Sequence, residues 1–264
     1  MAFKYDVTWI MQSYLGEYEG SREDSDKKFI RAVKSFLAMK DPRTQLVIAS
    51  DGCEITHKLY YKHFKKESQI EYVYVDKNTP TMYEKSKDGS NNQYYRGLPR
   101  QAARALAEGY LTAYIDSDDF LMPNSAKIIR AHWNAMCKQN PEKDFKWGAM
   151  TNWIENIAMN AWLENGKSKQ VFGPIKESFK IKGLKSKWQK YSMNEPSKNV
   201  QSTTWATVHR SNCTSTWKDH ISDPTAGGIS EDTLFARAIR KEGDGMLIND
   251  GFYVRCHYHG IWDY

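Results

Sequence analysis

The sequence predicts an α/β protein with a mostly parallel central sheet that is flanked by helices. Strand-like and helix-like hydrophobic patterns alternate between residues 5 and 76, and the predicted strands end at polar or acidic residues. Parallel strands need a crossover connection, which is usually a helix, so this alternation indicates a parallel sheet with helices on both faces. Ligands of such sheets bind at the carboxyl ends of the strands.

The amino-terminal elements are predicted from hydrophobic spacing. Residues 5–13 indicate a buried strand, and the apolar residues at 29–37 recur at helical spacing until Asp41-Pro42 ends the run. The elements that follow are a strand at 45–50, which ends at Asp51-Gly52, a helix at 56–66 and a strand at 70–75.

The later elements begin after a polar segment, residues 77–97, that is typical of a loop. An alanine-rich helix at 99–108 is predicted to end at Gly109, and the next strand runs directly into an acidic sequence, Asp116-Ser117-Asp118-Asp119. Beyond it we expect a helix capped by Asn124 or Ser125, strands at 147–157 and 203–209, a helix at 231–241 and a closing hairpin that turns at 249–251.

Length and composition favour one domain that carries an insertion. The chain has 264 residues, of which 40% are hydrophobic, and this content is enough to bury a core. No apolar run approaches the roughly 20 residues that span a bilayer, and no secretory signal is visible, so we expect a cytoplasmic enzyme without a membrane segment. The cysteines form no CxxC pair, which predicts reduced, structural thiols at Cys53, Cys137, Cys213 and Cys256.

One segment concentrates the positive charge of the chain. Nine lysines and two glutamates lie between Asn165 and Lys198, which gives this window a charge of +7 against +6 for the whole chain. Such a segment is typical either of a site for a polyanionic partner or of a solvated lysine-rich loop.

The acidic sequence at 116–119 predicts a metal site. Its three carboxylates repel one another, and hard cations such as Mn²⁺ or Mg²⁺ bind carboxylate oxygens together with substrate phosphates. We expect Asp118 to be a direct ligand and Asp116 to hold a ribose or a metal-bound water. The alternative is an acidic strand-end loop that caps a helix. A phosphatase pattern fails because Phe120 occupies its last position.

Five segments of the chain carry recognisable motifs. The most specific is residues 113–123, AYIDSDDFLMP; the others are Trp9–Leu15, Phe29–Met39, Leu46–Gly52 and Arg96–Ala105. In this order they resemble the family 2 glycosyltransferases, and the likeness covers most of the chain. The resemblance implies the GT-A fold, with a nucleotide-sugar-binding half at residues 1–123 and an acceptor-binding half at 124–264. The lysine-rich insertion at about 165–198 would belong to the second half.

The resemblance also implies roles for individual residues. Asp51 would recognise the nucleobase of a nucleotide-sugar donor, for which we expect a UDP-sugar. The remaining donor-binding residues would be Ser13, Arg96, Arg100, Asp116 and Ser117. The metal would be held by Asp116 and Asp118 together with His257 or His259. Two departures, Ser50 in place of an acidic residue and Ser13-Tyr14-Leu15 after the first strand, leave the identity of the nucleotide open.

The implied reaction is a direct displacement that inverts the anomeric centre. Asp232, which follows Glu231 at the start of a predicted helix, resembles the family's base and would deprotonate the acceptor hydroxyl. Partial burial would make such a carboxylate a better base, whereas simple helix capping is the alternative role, above all for Glu231.

The basic insertion indicates the acceptor. Lysines neutralise phosphates and aromatic rings stack on bases, so double-stranded DNA with hydroxymethylated bases, of the kind that bacteriophages modify, is one predicted acceptor. The residues that would bind it are Lys182, Lys185, Lys187 and Trp188. A cell-surface or capsular saccharide is the competing acceptor, and a non-catalytic protein that binds nucleotide sugar or DNA is the alternative of another class.

Overall fold

The computed structural model describes residues 3–16, 24–76, 97–150, 152–155, 175–180, 187–191, 207–217, 231–248 and 253–255. For residues 152–155, 175–180, 187–191, 231, 233 and 253–255 the description concerns the backbone.

The described residues form twelve strands and five helices. The strands are β1 (Tyr5–Ser13), β2 (Thr44–Asp51), β3 (Ile70–Val75), β4 (Gly109–Tyr114), β5 (Phe120–Leu121), β6 (Phe145–Met150), β7 (Asn152–Glu155), β8 (Ile175–Lys180), β9 (Lys187–Tyr191), β10 (Thr207–Arg210), β11 (Asp244–Ile248) and β12 (Tyr253–Arg255). The helices are α1 (Ser25–Ala38), α2 (Glu54–His63), α3 (Gly97–Ala105), α4 (Ser125–Gln139) and α5 (Glu231–Arg240).

Seven strands form a large sheet in the order β11-β6-β10-β4-β1-β2-β3. Strand β10 runs antiparallel to its neighbours β4 and β6, and the other neighbouring pairs are parallel. The predicted α/β class, with a mostly parallel sheet, is therefore confirmed. Its parallel strands β1, β2 and β4 end at the same edge, so the residues that follow them meet there.

The sheet is buried on both faces. Successive side chains of a strand point to opposite faces, and Trp9 of β1 packs into one core layer whereas Ile10 packs into the other. The first layer receives side chains of α1, α2 and α4, and the second receives Ala103 of α3 and Phe235 of α5. Full burial of a large apolar side chain such as Ile10 stabilises the fold by about 1.5–3 kcal/mol.

Five strands form a second sheet in the order β5-β12-β7-β9-β8. Strand β12 lies between β5 and β7, antiparallel to the first and parallel to the second. Strands β8 and β9 pair antiparallel, and β9 also pairs with β7. The second sheet therefore begins directly after the acidic sequence and brings the end of the described chain beside it.

Two sequence predictions about strands are wrong. The single strand expected at 147–157 is two strands, β6 and β7, which belong to different sheets. The hairpin expected around 249–251 does not form, because β11 pairs with β6 while β12 pairs with β5 and β7. In both cases pairing with distant strands overrides the local pattern. The lysine-rich segment, for which the sequence predicted no elements, contains β8 and β9.

Gly109 does not end a helix, as the sequence predicted, but begins β4 opposite Tyr5. A Cβ atom at this position would lie 2.6 Å from Oγ1 of Thr8 and 2.7 Å from its backbone nitrogen. Its own N–H donates to the Thr8 hydroxyl at 2.9 Å. Glycine is therefore required by the close approach of β1 and not by a helix end.

Two absences concern the described part of the chain. None of its helices is long and apolar enough to cross a membrane. Its cysteines, Cys53, Cys137 and Cys213, are free, which agrees with the expectation of reduced thiols, while Cys256 lies outside the described residues.

Asn124 lies at the amino-terminal cap of α4 without a side-chain capping hydrogen bond, whereas the Ser125 hydroxyl donates to the Met122 carbonyl at 2.6 Å.

His209 is a fully buried histidine on β10, a strand inside the large sheet. Its Nδ1 lies 2.9 Å from the carbonyl oxygen of Arg210, which can only accept, so Nδ1 carries the proton. Nε2 then accepts from the Tyr114 hydroxyl at 2.9 Å. Burial, assisted by the nearby Arg104 cation, lowers the pKa of His209 to about 3. The ring is thus held neutral by its surroundings.

Replacing His209 should flatten the dependence of stability on pH. Between the unfolded pKa of about 6.5 and the folded pKa of about 3, only the unfolded chain binds this proton, so stability falls as the pH falls through that window. From pH 8 to pH 5 the loss assigned to His209 is about 2 kcal/mol. Urea unfolding at both pH values should show this loss in the native chain and in the exposed-histidine control His63→Gln, but not in His209→Gln. An equal loss of unfolding free energy between pH 8 and pH 5 in all three proteins would contradict the assignment of this loss to His209.

Candidate active site

The acidic sequence forms a cluster at the carboxyl edge of the large sheet. Asp116, Asp118 and Asp119 follow β4, and one ligand oxygen from each lies within 4.8 Å of the others. The Asp119 N–H donates to the Asp116 carbonyl at 3.1 Å, which closes a tight turn. The Asp119 side chain is fully buried, while the other two are partly exposed. Three carboxylates are thereby held together at an accessible edge.

Side chains of helix α1 hold the acidic turn through hydrogen bonds to its backbone and to the strand that follows. Arg31, which is 1% exposed, donates from Nη2 to the Asp118 carbonyl, and its guanidinium lies 5.3 Å from the centre of the Phe120 ring. The Ser35 hydroxyl accepts from the Leu121 N–H at 2.9 Å and donates to the Ala32 carbonyl at 2.6 Å. Two polar side chains one helical turn apart thus fix the backbone at Asp118 and at Leu121, on either side of Asp119.

Sequence reasoning missed Arg31 and Ser35. Their signal was their position, since both lie among the buried residues of α1 together with Phe29 and Phe36. A buried cation or hydroxyl on such a face needs a partner. The partner, however, lies 87 residues away in the case of Arg31, and the sequence pattern does not identify it.

Arg100 brings a positive charge to the cluster. Its Nη2 lies 3.8 Å from Oδ1 of Asp116, and the two side chains are 12% and 35% exposed. The Arg100 guanidinium lies over the ring of Trp217 at 4.8 Å from its centre. The sequence placed Arg100 in the donor site, and the structure places it next to Asp116. The neighbouring loop residue Trp217 was not foreseen.

Ser13 and Asp51 lie at the ends of the adjacent strands β1 and β2. The Ser13 hydroxyl lies 3.0 Å from that of Thr56, and Asp51 accepts from Nε2 of Gln12 at 3.2 Å. Both side chains are buried, at 1% and 2% exposure. Because β4 is the other neighbour of β1, these residues and Asp116 share one edge of the sheet.

Ser50 stands where the family resemblance expects an acidic residue. Its hydroxyl donates to the Cys53 carbonyl at 2.9 Å and accepts from the Cys53 N–H at 3.3 Å. It therefore closes the turn before α2. This local role accounts for a serine at the position.

The start of α5 carries the predicted base. Glu231 is its first residue, described by its backbone, and Asp232 is half-buried. One turn further on, the Phe235 ring is buried and stacks on Trp217 with 4.1 Å between ring centres and an interplanar angle of 11°. Trp217 also lies under Arg100, so packing connects the first turn of α5 with the residues around Asp116.

Other predicted site residues lie outside the described residues: Arg96, Lys182, Lys185, His257 and His259. Lys187 and Trp188 lie on β9, where Trp188 pairs with Phe179 of β8 and with Glu155 of β7. Ser117 lies within the acidic turn and is partly exposed.

The donor set of the cluster fits a hard divalent cation. Its groups are carboxylate oxygens, which Mg²⁺ and Mn²⁺ prefer, and they include no thiolate or imidazole among the described residues. Their mutual repulsion at this spacing is relieved when a cation is bound.

The fold is similar to that of solved Staphylococcus aureus structures, whereas no protein-family model and no curated protein sequence matches the chain. The crystal structure of S. aureus TarS 1-349 has a TM-score of 0.59 at 14% identity, covering 94% of this chain and 60% of that one. The same protein in complex with UDP-GlcNAc has a TM-score of 0.58 at 14% identity, over 97% and 60%. Its complex with UDP has a TM-score of 0.58 at 14% identity, over 95% and 60%.

This likeness confirms the predicted GT-A fold. At 14% identity it establishes the fold alone, and the chain spans 60% of the length of the TarS 1-349 structures.

Ser35→Ala should weaken divalent-metal binding by loosening the acidic turn. The change leaves the buried Leu121 N–H without the acceptor that it has at 2.9 Å, at a cost of about 1–3 kcal/mol in unfolding free energy. We expect Mn²⁺ affinity, followed by electron paramagnetic resonance of free Mn²⁺, to fall several-fold.

Thr44→Val is the matched control for Ser35→Ala. It removes a hydrogen bond from a buried hydroxyl to the Asp41 carbonyl, 2.7 Å long, at the opposite edge of the sheet. It should lower stability without changing Mn²⁺ affinity. If both variants bind Mn²⁺ as tightly as the native chain, Ser35 does not shape the cluster.

Proposed function

We propose that the protein is a metal-dependent, inverting glycosyltransferase that moves a sugar from a UDP-sugar to an acceptor hydroxyl. The observation that carries the proposal is the cluster of Asp116, Asp118 and Asp119, whose oxygens lie within 4.8 Å of one another. It stands at the carboxyl edge of a sheet, where ligands of α/β folds bind. The fold likeness to a structure that contains UDP-GlcNAc supports the choice of donor.

The donor lies along the edge formed by the ends of β1, β2 and β4. Asp51 recognises the nucleobase, Ser13 lines the same side, and Asp116 with Ser117 holds the ribose. Arg100 and Arg96 contribute positive charge toward the diphosphate, and the position of Arg100, 3.8 Å from Asp116, supports this role. A charge-assisted contact of this kind is worth more than a neutral hydrogen bond.

Asp118 and Asp116 hold Mn²⁺ or Mg²⁺, which supplies positive charge to the diphosphate of the leaving group. The backbone of β12 supports a contribution from the residues after it. Val254 lies opposite Phe120 in an antiparallel pair, so the chain direction at Arg255 leads toward the acidic turn. His257 and His259 follow in the sequence, and one of them completes the ligand set.

Asp232 removes the proton from the acceptor hydroxyl while that oxygen attacks the anomeric carbon. One displacement from the face opposite the leaving group inverts the configuration. The half-buried position of Asp232 at the start of α5 supports a base whose carboxylate is partly removed from solvent. Glu231, the neighbouring residue, either caps helix α5 or assists Asp232 in deprotonating the acceptor hydroxyl.

The whole chain acts as a single domain in this proposal. Residues 1–123 bind the donor, and residues 124–264 bind the acceptor. The acceptor is a polyanion, with hydroxymethylated bases of duplex DNA as the specific proposal. Support comes from the +7 charge between Asn165 and Lys198 and from β8 and β9, which place part of that segment in the sheet that begins at β5. Lys182, Lys185, Lys187 and Trp188 are its proposed contacts.

UDP and Mn²⁺ together should raise the melting temperature of the native protein, whereas either alone should act weakly. Binding to the folded state stabilises it by mass action, and Asp118→Asn removes one carboxylate of the cluster. We expect the joint stabilisation to be lost in this variant and kept in the control Asp244→Asn, which changes an exposed carboxylate at the opposite edge of the sheet. A native protein that no nucleotide stabilises, with or without metal, would refute the donor site.

Transfer should depend on Asp232 and should invert the anomeric centre. Removing a general base lowers turnover by about 10²–10⁴-fold, so Asp232→Asn should lose transfer while it keeps the stabilisation by UDP and Mn²⁺. Radiolabelled UDP-glucose or UDP-GlcNAc is offered with hydroxymethylated duplex DNA or with capsular saccharide, and the linkage is read by nuclear magnetic resonance.

The assays with DNA and with capsular saccharide give separate outcomes. Labelling of DNA that declines steeply with salt supports the polyanionic acceptor, and labelling of the saccharide alone replaces DNA with that acceptor. Retained anomeric configuration contradicts the single displacement. Donor binding without transfer or donor hydrolysis under any metal identifies a binding protein instead of an enzyme.

A further inference from the structure

Trp217 contacts three elements of the fold, α3, β4 and α5. It is 4% exposed and belongs to the core layer that contains α3 and α5. Its backbone N–H donates to Oε1 of Gln101 at 3.1 Å, and its Nε1–H donates to the Tyr114 hydroxyl at 3.3 Å. The indole is therefore fixed in position and orientation by α3 and β4.

One contact of the Trp217 ring leads to the acidic cluster. The Arg100 guanidinium lies 4.8 Å from the ring centre and 3.8 Å from Asp116. A guanidinium over an indole is attracted by the negative ring face, and this attraction is stronger when the pair is shielded from water. Because the Arg100 side chain is only 12% exposed, the ring restricts the positions that the cation can adopt.

Another contact of the ring leads to the proposed base. Phe235 of α5 stacks on Trp217 at 4.1 Å between centres, and it follows Asp232 by one helical turn. Tyr114, which is the last residue of β4 before Ile115 and Asp116, packs edge-on against both rings, with 5.3 Å and 5.9 Å between centres. These three rings form an aromatic stack, which we define as Tyr114, Trp217 and Phe235.

The loop that carries Trp217 is itself anchored at two points. Glu242 accepts from the N–H groups of Thr214 and Ser215 at 2.7 Å and 2.6 Å and from the Ser215 hydroxyl. Burial raises the pKa of Glu242, but the hydrogen bonds, that from the Ser215 hydroxyl first, lower it by more, so the pKa lies below its ordinary value. Arg104 donates to the carbonyls of Cys213 and Ser215. The polypeptide before Trp217 is thus held by Arg104 of α3 and by Glu242, which follows α5.

We propose that Trp217 is a positioning residue that holds Arg100 against Asp116 and sets the start of α5 relative to the acidic cluster. The inference rests on the proposed function, in which Arg100 serves the donor and Asp232 is the base. In this proposal Trp217 does not act by contact with the nucleotide-sugar donor or with the acceptor. Its effect on donor binding passes through Arg100, which distinguishes it from an ordinary core residue.

A double-mutant cycle tests this route. Trp217→Leu removes the ring from beneath Arg100, and Arg100→Ala removes the cation. Trp217→Leu should raise the KM for UDP-sugar about tenfold in the native background and less than about twofold when Arg100 is already alanine, since coupled residues are not additive. It should also lower kcat, because α5 loses its stacking partner. Trp217→Phe, which keeps an aromatic ring, should recover most of both effects.

Trp133→Leu is the matched control, because Trp133 is a buried indole of the other core layer. It should lower the unfolding free energy while leaving the KM for UDP-sugar within about twofold of the native value. Equal effects of Trp217→Leu in the two backgrounds, or an equal rise of KM in Trp133→Leu, would overturn the proposal. If Trp217→Leu does not fold, Trp217→Met, which has a larger side chain but no aromatic ring, takes its place in the cycle.

The failure of the proposed function is recognised separately. If UDP with Mn²⁺ does not stabilise the native protein, the donor site is refuted, and the cycle is then measured on urea unfolding free energies. Coupling between Arg100 and Trp217 in that measurement supports the positioning contact without a nucleotide. Additive losses refute the contact as well.

Discussion

The mutual repulsion of three carboxylates is the constraint around which this structure is organised. Asp116, Asp118 and Asp119 hold their oxygens within 4.8 Å of one another, and no strand or helix propensity favours that arrangement. It persists because α1 holds the turn through Arg31 and Ser35 and because Arg100 places a cation beside it. Close groups of like charge are concentrated where a protein binds ligands, and the surrounding core holds them in place.

The sequence predicts what depends on neighbours along the chain. The first three strands and the helices between them follow from hydrophobic spacing, and the acidic turn follows a buried strand whose end is readable. Parallel pairing then places Ser13, Asp51 and Asp116 at one edge, because the ends of parallel strands coincide. For this reason the sequence alone predicts the position of the candidate site, although the roles of its residues remain proposals.

What the sequence could not predict depends on residues that are far apart. Arg31 finds its acceptor 87 residues later, and Trp217 meets Gln101 across 116 residues. No periodicity encodes either separation. The same holds for Gly109, which looked like a helix end and is instead a close contact with Thr8, and for the turn-like residues 249–251, whose flanking strands pair with different sheets.

Strand pairing also joins residues 1–123 to residues 124–264. Strand β10, from the later part of the chain, lies between β4 and β6 of the large sheet, and β12 pairs with β5 immediately after the acidic turn. Neither part therefore has a complete sheet of its own. The aromatic stack of Tyr114, Trp217 and Phe235 packs β4 against α5. Because close-packed rings resist independent movement, this stack keeps the carboxyl edge of the large sheet and the start of α5 in one geometry.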